Sequence, residues 1–594
     1  MRNPLFNQLR ENTPGNPRTT GPVLKNAAPF RNLVFILIYI GVTCSGLRAQ
    51  EFDLSITGSD STETHIIDAV GYQKKLSSFK DIKIETDSLL LKLQKTGFID
   101  AEHDTVRRKN DSLFTVHFRL KKRYSFLKIY YPKGLFKPKR LKRMTENHTP
   151  DYFVIPIRET ERVLHRLNSI LANRGKPFNR LRLSNIRKTG SDTLSARLKN
   201  TDAKLRTIDS IVVRGYEKFP KAYFKNYIGI KKGQVFSKDK IDKKSEGLNN
   251  LNFAKQVKPP EVLFTTAKTT LYFYLEKQNS NRFEGFLGFS TDEDSKKLRL
   301  DGNISLSLVN NLNHGEALKI HYKNNGEEQQ HFNANLKLPF LFSTPFGIDL
   351  ELDLFRQDTT YTTNTQQAKL TYQMNPHLQL NAGYKSANSN YLLDNSIVMG
   401  GNANEDYSAD FFMVGGNYRI RNSENMLFPV TSAFDLNLGM GKRRRIQSSD
   451  RQYYFEFSGQ QIFEIDQRNS IFVANQTSAL FSDDYVNNEL YKFGGINSLR
   501  GFEENSLRAS FFSAFQTEYR FLLSATLYIH SIFDYGFMEN NLNFQKDNLY
   551  GIGFGLGLKT KAGLLRIAFA NGKSDGKSFQ FKNTKVHLSL TAFF

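Results

Sequence analysis

The chain has 594 residues, with 83 Lys and Arg against 58 Asp and Glu, for a formal net charge of +25. It is too long for one ordinary soluble domain, and with 50 Phe and 26 Tyr it is too rich in aromatics for a disordered chain. A mean hydropathy of −0.48 excludes a polytopic helical membrane protein, but not a β-barrel, in which only every second strand residue faces lipid.

The surplus charge is unevenly placed: about +5 falls in residues 1–50, about +22 in 51–280 and about −2 in 281–594. In the basic middle section the charges are scattered without aromatic interleaving, so no nucleic-acid partner is expected. They suit attraction to an anionic membrane surface or to acidic polypeptides. Cys44 is the single cysteine, which leaves no intrachain disulfide and no Cys-based metal site, and the 11 His show no metal spacing. No Gly-x-Ser-x-Gly, His-Glu-x-x-His or phosphate-cradling glycine loop is present. No enzymatic activity, cofactor or metal is therefore expected.

Residues 1–49 read as a secretory signal with a long N-region. Arg31 flanks an apolar run, Leu33 to Val42, that is too short to span a bilayer comfortably, and Ala49-Gln50 offers a cleavage point. Cys44 offers a second outcome, lipid attachment at its thiol.

From about Asp68 to Gln278 a pattern of strand, two helical stretches and two strands recurs with a period suited to a beaded arm. The clearest copy, 206–278, has an alternating strand from Ile208 to Gly215, a helical turn opened by Pro220, and a break at Gly233. A helix carrying Ile241, Leu248 and Leu251 follows, then two strands at Val262–Phe264 and Thr270–Leu275. Weaker copies occupy 68–124, around Leu89–Phe98, and 125–205, around the helix Val163–Asn173 stopped by Gly175.

From 281 to 594 the texture changes to alternating segments separated by polar turns. Ile348–Leu354 and Phe434–Met440 set aliphatic side chains on one face and polar ones on the other. Gly551–Gly557 alternates too, and reads as a strand with one face of small residues. A soluble sandwich would hide the apolar face; a membrane barrel would turn it outward. The signal, the number of segments and a final strand that ends the chain favour an antiparallel transmembrane barrel of about sixteen strands. Connections alternate in length, tight at Asp466–Ser470, Leu523–Ala525 and Lys561–Gly563, longer at Asn388–Ser408, Asp483–Leu499 and Glu539–Asn548. The longer set belongs on the outer face. So does Lys442-Arg-Arg-Arg445, which could meet lipopolysaccharide phosphates.

Within that set, Tyr491-Lys-Phe-Gly-Gly-Ile-Asn-Ser-Leu-Arg-Gly-Phe502 brackets one arginine, Arg500, between Gly494-Gly495 and Gly501. Glycine there permits positive φ and close backbone approach, which suits a hairpin folded against a wall. An inward-pointing arginine needs acidic partners, and Glu518 and Asp534 follow on the next two alternating segments. Leu499-Arg500-Gly501-Phe502 resembles the inward-folded loop of the outer-membrane assembly-factor superfamily, the BamA- and TamA-like bacterial surface antigens. Glu518 is similar to that family's first acidic partner. Phe533-Asp534-Tyr535-Gly536 is similar to the strand motif carrying the second, with Phe533 one place closer to the acid than in its strictest form. The repeated α+β modules resemble the periplasmic POTRA domains of the same superfamily, which are taken to bind extended clients along a strand edge, and the layout is closest to the TamA branch.

The last segment, Lys585–Phe594, sets Val586, Leu588, Leu590, Ala592 and Phe594 on one face. Pairing it with Phe283, Phe286 and Phe289 near Arg282 would close the barrel. A weakly bonded seam there could part and template an incoming strand. The resemblance thus implies an outer-membrane insertase or translocase that takes unfolded outer-membrane protein clients on a periplasmic arm, among outer-membrane lipid and lipopolysaccharide. A periplasm-spanning protein is a further possible partner. The alternatives are a transporter of the two-partner-secretion type and a passive porin-like barrel.

Overall fold

The protein is described by a computed structural model covering residues 51–201, 203–291, 298–324, 329–392, 404–422, 425, 427–561 and 563–593. The signal-like segment and Cys44 lie outside the described residues. The described chain divides into two compact units, 51–167 with 181–201, and 168–180 with 203–593.

The first unit contains two α+β modules. Phe52–Thr57 runs parallel to Leu113–Arg119, with Asp53 opposite Leu113 and Thr57 opposite His117. Between them lie the helices Ser61–Val70 and Phe79–Lys95. Each starts where a side chain satisfies a free helix amide: Asp60 accepts from the Glu63 N–H and Ser78 from that of Asp81. Ile82, Leu89 and Leu93 share one face of the longer helix and pack onto Leu54, Ile56, Phe114, Val116 and Phe118 from the sheet. The first strand and most of the first helix precede Asp68, where the sequence pattern starts. In the second module Phe126–Tyr130 again runs parallel to the last strand, Thr193–Asn200, with Tyr152–Pro156 and Leu181–Lys188 on the two flanks.

In the second unit, Ser210–Gly215 is parallel to Thr269–Lys277, and Ala254–Phe264 is antiparallel to the latter. The helices Ala222–Asn226 and Lys238–Ser245 lie between, giving the order β-α-α-β-β. This module shares one core with the barrel: Val309 from the end of a barrel strand and Phe340 from a turn pack with Tyr223, Phe224, Phe253 and Phe273. The Tyr223 ring meets Phe340 edge-on at 4.7 Å. Its hydroxyl donates to the Gly315 carbonyl (3.3 Å), and that of Tyr227 to the Pro376 carbonyl (2.9 Å). Burial pushes the Tyr227 hydroxyl up to about 12, so it stays a neutral donor at physiological pH. Asn250 reads two turns at once, donating to the carbonyls of Pro376 and Arg419 and accepting from the Arg421 N–H at 2.6 Å. At Gly315, where φ is +83°, a Cβ would sit 2.2 Å from the Tyr223 hydroxyl oxygen, which requires glycine.

Among the described residues sixteen antiparallel strands, from Arg282–Thr291 to Lys585–Phe593, close into a barrel. Side-chain direction separates a membrane barrel from a soluble sandwich. Leu350, Leu354, Leu436, Leu438 and Met440 point outward and are exposed. Inward, Asp349 accepts from Asn335 (2.6 Å), and Asp353 lies 2.7 Å from His331. The apolar face is on the outside, as lipid requires. No helix among the described residues is long and apolar enough to cross a membrane. One expected long connection is absent: the strands run to Asn540 and resume at Gln545. The ladder continues there because Glu539 and Lys546 face each other and pair at 3.0 Å.

Candidate functional site

The connection from Asn469–Ser482 to Phe511–Leu522 folds into the lumen. It starts with a short turn, Asn487–Glu489, and then forms the hairpin Tyr491–Phe493 with Leu507–Ala509. Gly494 and Gly495, at φ +109° and +91°, make the break at its inner end. The Gly494 N–H donates to Ser498 Oγ (2.8 Å), and the Gly495 N–H to the Leu499 carbonyl (3.1 Å). Phe493 stacks flat on Phe512 of the wall at 4.2 Å. Leu499 is fully buried against Gly536, where a Cβ would lie 3.2 Å from its Cδ2.

Arg500 is 4% exposed and Asp534 0%. The guanidinium grips Asp534 with both oxygens engaged, Nε to Oδ2 at 2.8 Å and Nη2 to Oδ1 at 2.6 Å, and the Arg500 backbone N–H adds a third bond at 3.0 Å. Nη1 donates to Glu518. A planar fork divided between two carboxylates is a geometry that arginine supplies and lysine does not.

The wall is shaped for this loop. Gly551, Gly553, Gly555 and Gly557 share the inward face of Gln545–Lys559. A Cβ at Gly551 would sit 2.3 Å from the Arg500 carbonyl, one at Gly555 2.4 Å from the His530 ring and one at Gly557 2.1 Å from the Tyr528 ring. Gly501, at φ +91°, lies against Gly572, and the Phe502 ring covers the same glycine. Of the small-residue face read from the sequence, Gly551 thus seats the loop tip, while Gly555 and Gly557 make room for the His530 and Tyr528 rings of the neighbouring strand. Phe533 does not join the site: alternation turns it outward, 54% exposed, while Ile532, Asp534 and Gly536 point in.

Sequence reasoning missed five further contributors: Arg520, His530, Phe472, Phe428 and Tyr528. Glu518 also accepts from Arg520 (2.6 Å), and His530 lies 3.7 Å away. The Arg520 guanidinium is held between the rings of Phe472 (4.1 Å) and Phe428 (4.6 Å), and Phe428 packs edge-on against Tyr528. Arg520 shares the inward face of its strand with Glu518, and that parity was the available signal. Phe428 sits in a turn and gave none.

The Lys442–Arg445 run is largely engaged by the protein's own carboxylates. Arg443, 0% exposed, pairs with Glu489 and with Asp450 (2.5 Å). Arg444 pairs with Asp410, and Arg445 with Asp484 (2.8 Å), Glu405 and Asp450. Two of these acids, Glu489 and Asp484, belong to the inward loop, so the run anchors the loop's entry and leaves little free charge for phosphates.

At the seam the first and last strands pair only at one end. Arg282 faces Phe593, Phe283 faces Ala592 and Glu284 faces Thr591, with no further ladder among the described residues. The Glu284 carboxylate adds side-chain bonds from Ser589 Oγ (2.5 Å) and Thr591 Oγ1 (3.0 Å). Phe283, Leu588 and Leu590 point outward and are exposed. The side chains of Phe286 and Phe289, and Phe594 as a whole, lie outside the described residues. The tip of the loop reaches the last strand through Glu503 and Lys585 at 2.6 Å.

Comparison with known proteins agrees with this architecture. Residues 206–278 match the POTRA family, surface antigen variable number repeat, and residues 310–584 match the Omp85 superfamily domain. Among solved structures, CdiB from Escherichia coli is 14% identical, with 86% of this chain and 98% of that one covered at a TM-score of 0.51. CdiB from Acinetobacter baumannii is 14% identical, with 79% and 90% covered at 0.50. BamA from Haemophilus ducreyi, lacking POTRA domains 1–3, is 13% identical, with 78% and 99% covered at 0.45. No curated protein sequence matches the chain. With a POTRA domain leading into a closed sixteen-strand Omp85 barrel, the chain belongs to the Omp85 family of outer-membrane proteins, its barrel in the outer membrane and its POTRA arm in the periplasm.

Proposed function

We propose that this protein is an insertase for outer-membrane proteins, in which unfolded client chains bind the periplasmic modules and are templated as strands at the barrel seam. The observation that carries this reading is the shortness of the seam ladder, Arg282–Glu284 against Thr591–Phe593, in a barrel whose other strand pairs are bonded along most of their length. An edge with free backbone N–H and C=O groups is the physical requirement for adding a strand. The docked loop supports the same reading, because it braces the wall that leads into the last strand and reaches that strand through Glu503 and Lys585, beside the edge that would open.

The test is a disulfide across the seam, Phe283→Cys with Ala592→Cys, which face each other in register. Locking the seam should abolish assembly of client barrels, and reduction should restore it. Undiminished client assembly with the seam locked would refute the insertase reading and favour transport of polypeptide through the lumen.

A further inference from the structure

The walls of the lumen carry a concentration of positive charge at the periplasmic mouth. Arg282 opens the first strand, directly after the periplasmic arm, which places its end of the barrel at the periplasmic side. Lys319, Lys337, Arg419, Arg421 and Arg566 lie at the same end of four further barrel strands. They are close enough to act on one another: Lys319 lies in the fields of Lys337, Arg419 and Arg282, opposed by Asp349, and Arg282 in that of Arg566, opposed by Glu284. Lys337 has a partner in Asp349 (3.0 Å) and Arg419 one in Asp435 (3.4 Å). Among the described residues Lys319, Arg421 and Arg566 make no ion pair. Arg282, Lys319 and Arg566 line one cavity of about 430 Å³, three cations against the one carboxylate on its described wall, Glu284, which accepts from Ser589 and Thr591.

We propose that this basic rim, centred on Lys319 and Arg566, is a binding site for acidic stretches of polypeptide entering the barrel from the periplasm. Like charges gathered in a walled cleft focus their field toward whatever anion enters it. The cleft faces the lumen, so a chain reaches it from the mouth, whereas a lipid headgroup would have to cross the barrel wall. The arm ahead of it, with a surplus of about +22 over residues 51–280, carries the same sign and would deliver the same class of segment. The proposal rests on the reading of the protein as a handler of polypeptide chains.

The experiment is photocrosslinking of the full-length protein in detergent with a benzophenone-tagged deca-glutamate peptide, at low and high salt, with crosslinks mapped by proteolysis. Capture is expected on 282–291, 317–324 and 564–574, beside capture on the arm. Each of Lys319→Gln and Arg566→Gln should lower rim capture about fivefold, leave arm capture unchanged, and spare the heat-modifiable barrel. Lys319→Arg should retain rim capture, which guards against a merely structural effect. Capture on the arm alone, or rim capture unaltered in the double variant, would overturn the proposal. Displacement by phosphatidylglycerol micelles but not by inorganic phosphate would also overturn it, in favour of a lipid site. Because the assay involves no client assembly, rim capture together with failed assembly would count against the insertase reading and leave the rim standing. Absent capture with normal assembly would do the reverse.

Discussion

The barrel has two walls built from the same alternating sequence texture, and they are bonded in opposite ways. On one, Phe511–Leu522, Leu527–Asn540, Gln545–Lys559 and Leu564–Ser574 pair along nearly their whole length. Their inward face is specialised: Glu518 and Asp534 hold Arg500, and Gly536, Gly551 and Gly572 let the loop approach closely. On the other, the first and last strands meet over Arg282–Glu284 and are supplemented by a single carboxylate, Glu284. Strand propensity is similar on both, so the difference is one of register and partner. Where a ladder is complete, the wall can serve as a platform for a buried charge cluster; where it is short, backbone groups are left to pair with something else.

The heaviest blow to this contrast is Arg500→Ala. Removing one member of a buried, hydrogen-bonded charge set costs about 3–5 kcal/mol, here chiefly by stranding Asp534, since Glu518 keeps Arg520. The loop should detach, with the barrel still inserted but losing heat-modifiability at a lower temperature. Asp534→Asn should behave alike, and the double variant should be little worse than either single, since both remove one interaction. Strict additivity in melting would show that the two residues act separately.

Gly551→Val tests the platform without touching a charge. Its Cβ would meet the Arg500 carbonyl at 2.3 Å, and forcing a side chain into such a contact costs about 1–3 kcal/mol. Greater exposure of the loop to externally added protease is expected, and an unchanged cleavage rate would mean that the loop does not press on this strand.

At the seam, Glu284→Gln weakens two hydroxyl bonds to a carboxylate, an effect of about 1 kcal/mol. Amide exchange at Phe283 and Glu284 should quicken several-fold while that of Phe533 to Tyr535 stays fixed. Equal acceleration on both walls would erase the distinction between them. The smallest effect is expected for Phe533→Leu. This side chain faces lipid, and the swap should shift stability by no more than about 0.5 kcal/mol, with loop protection unaltered. A loop-release phenotype would place Phe533 inside the site after all.

Much of this was legible in the sequence. Alternation of period two gave the strands and which residues share a face. The spacing of Arg500, Glu518 and Asp534 put one arginine on a loop and one acid on each of the next two strands. Positive-φ glycines announced the loop's bends. The illegible part came from places where local pattern carries no information about the partner. Lys442–Arg445 reads as a solvated run until the fold brings Glu489, Asp450, Asp484 and Asp410 to it. Phe428 is one more turn residue until Arg520 and Tyr528 close around it. Glu539–Asn548 looks like a long loop because its residues are polar, and polar residues pair across a ladder as readily as they line a loop.

By itself, then, the sequence determined the order of modules and barrel, the faces of the strands, and the residues able to form a buried charge cluster, since all three depend on local periodicity and residue chemistry. Tertiary structure alone decided which way the faces point, how far the seam ladder runs, and which basic residues find a carboxylate. It also decided that Lys319 and Arg566, distant in sequence, line the same cavity. Those outcomes depend on barrel closure, which sets register and stagger for all sixteen strands together, and no local segment contains that information.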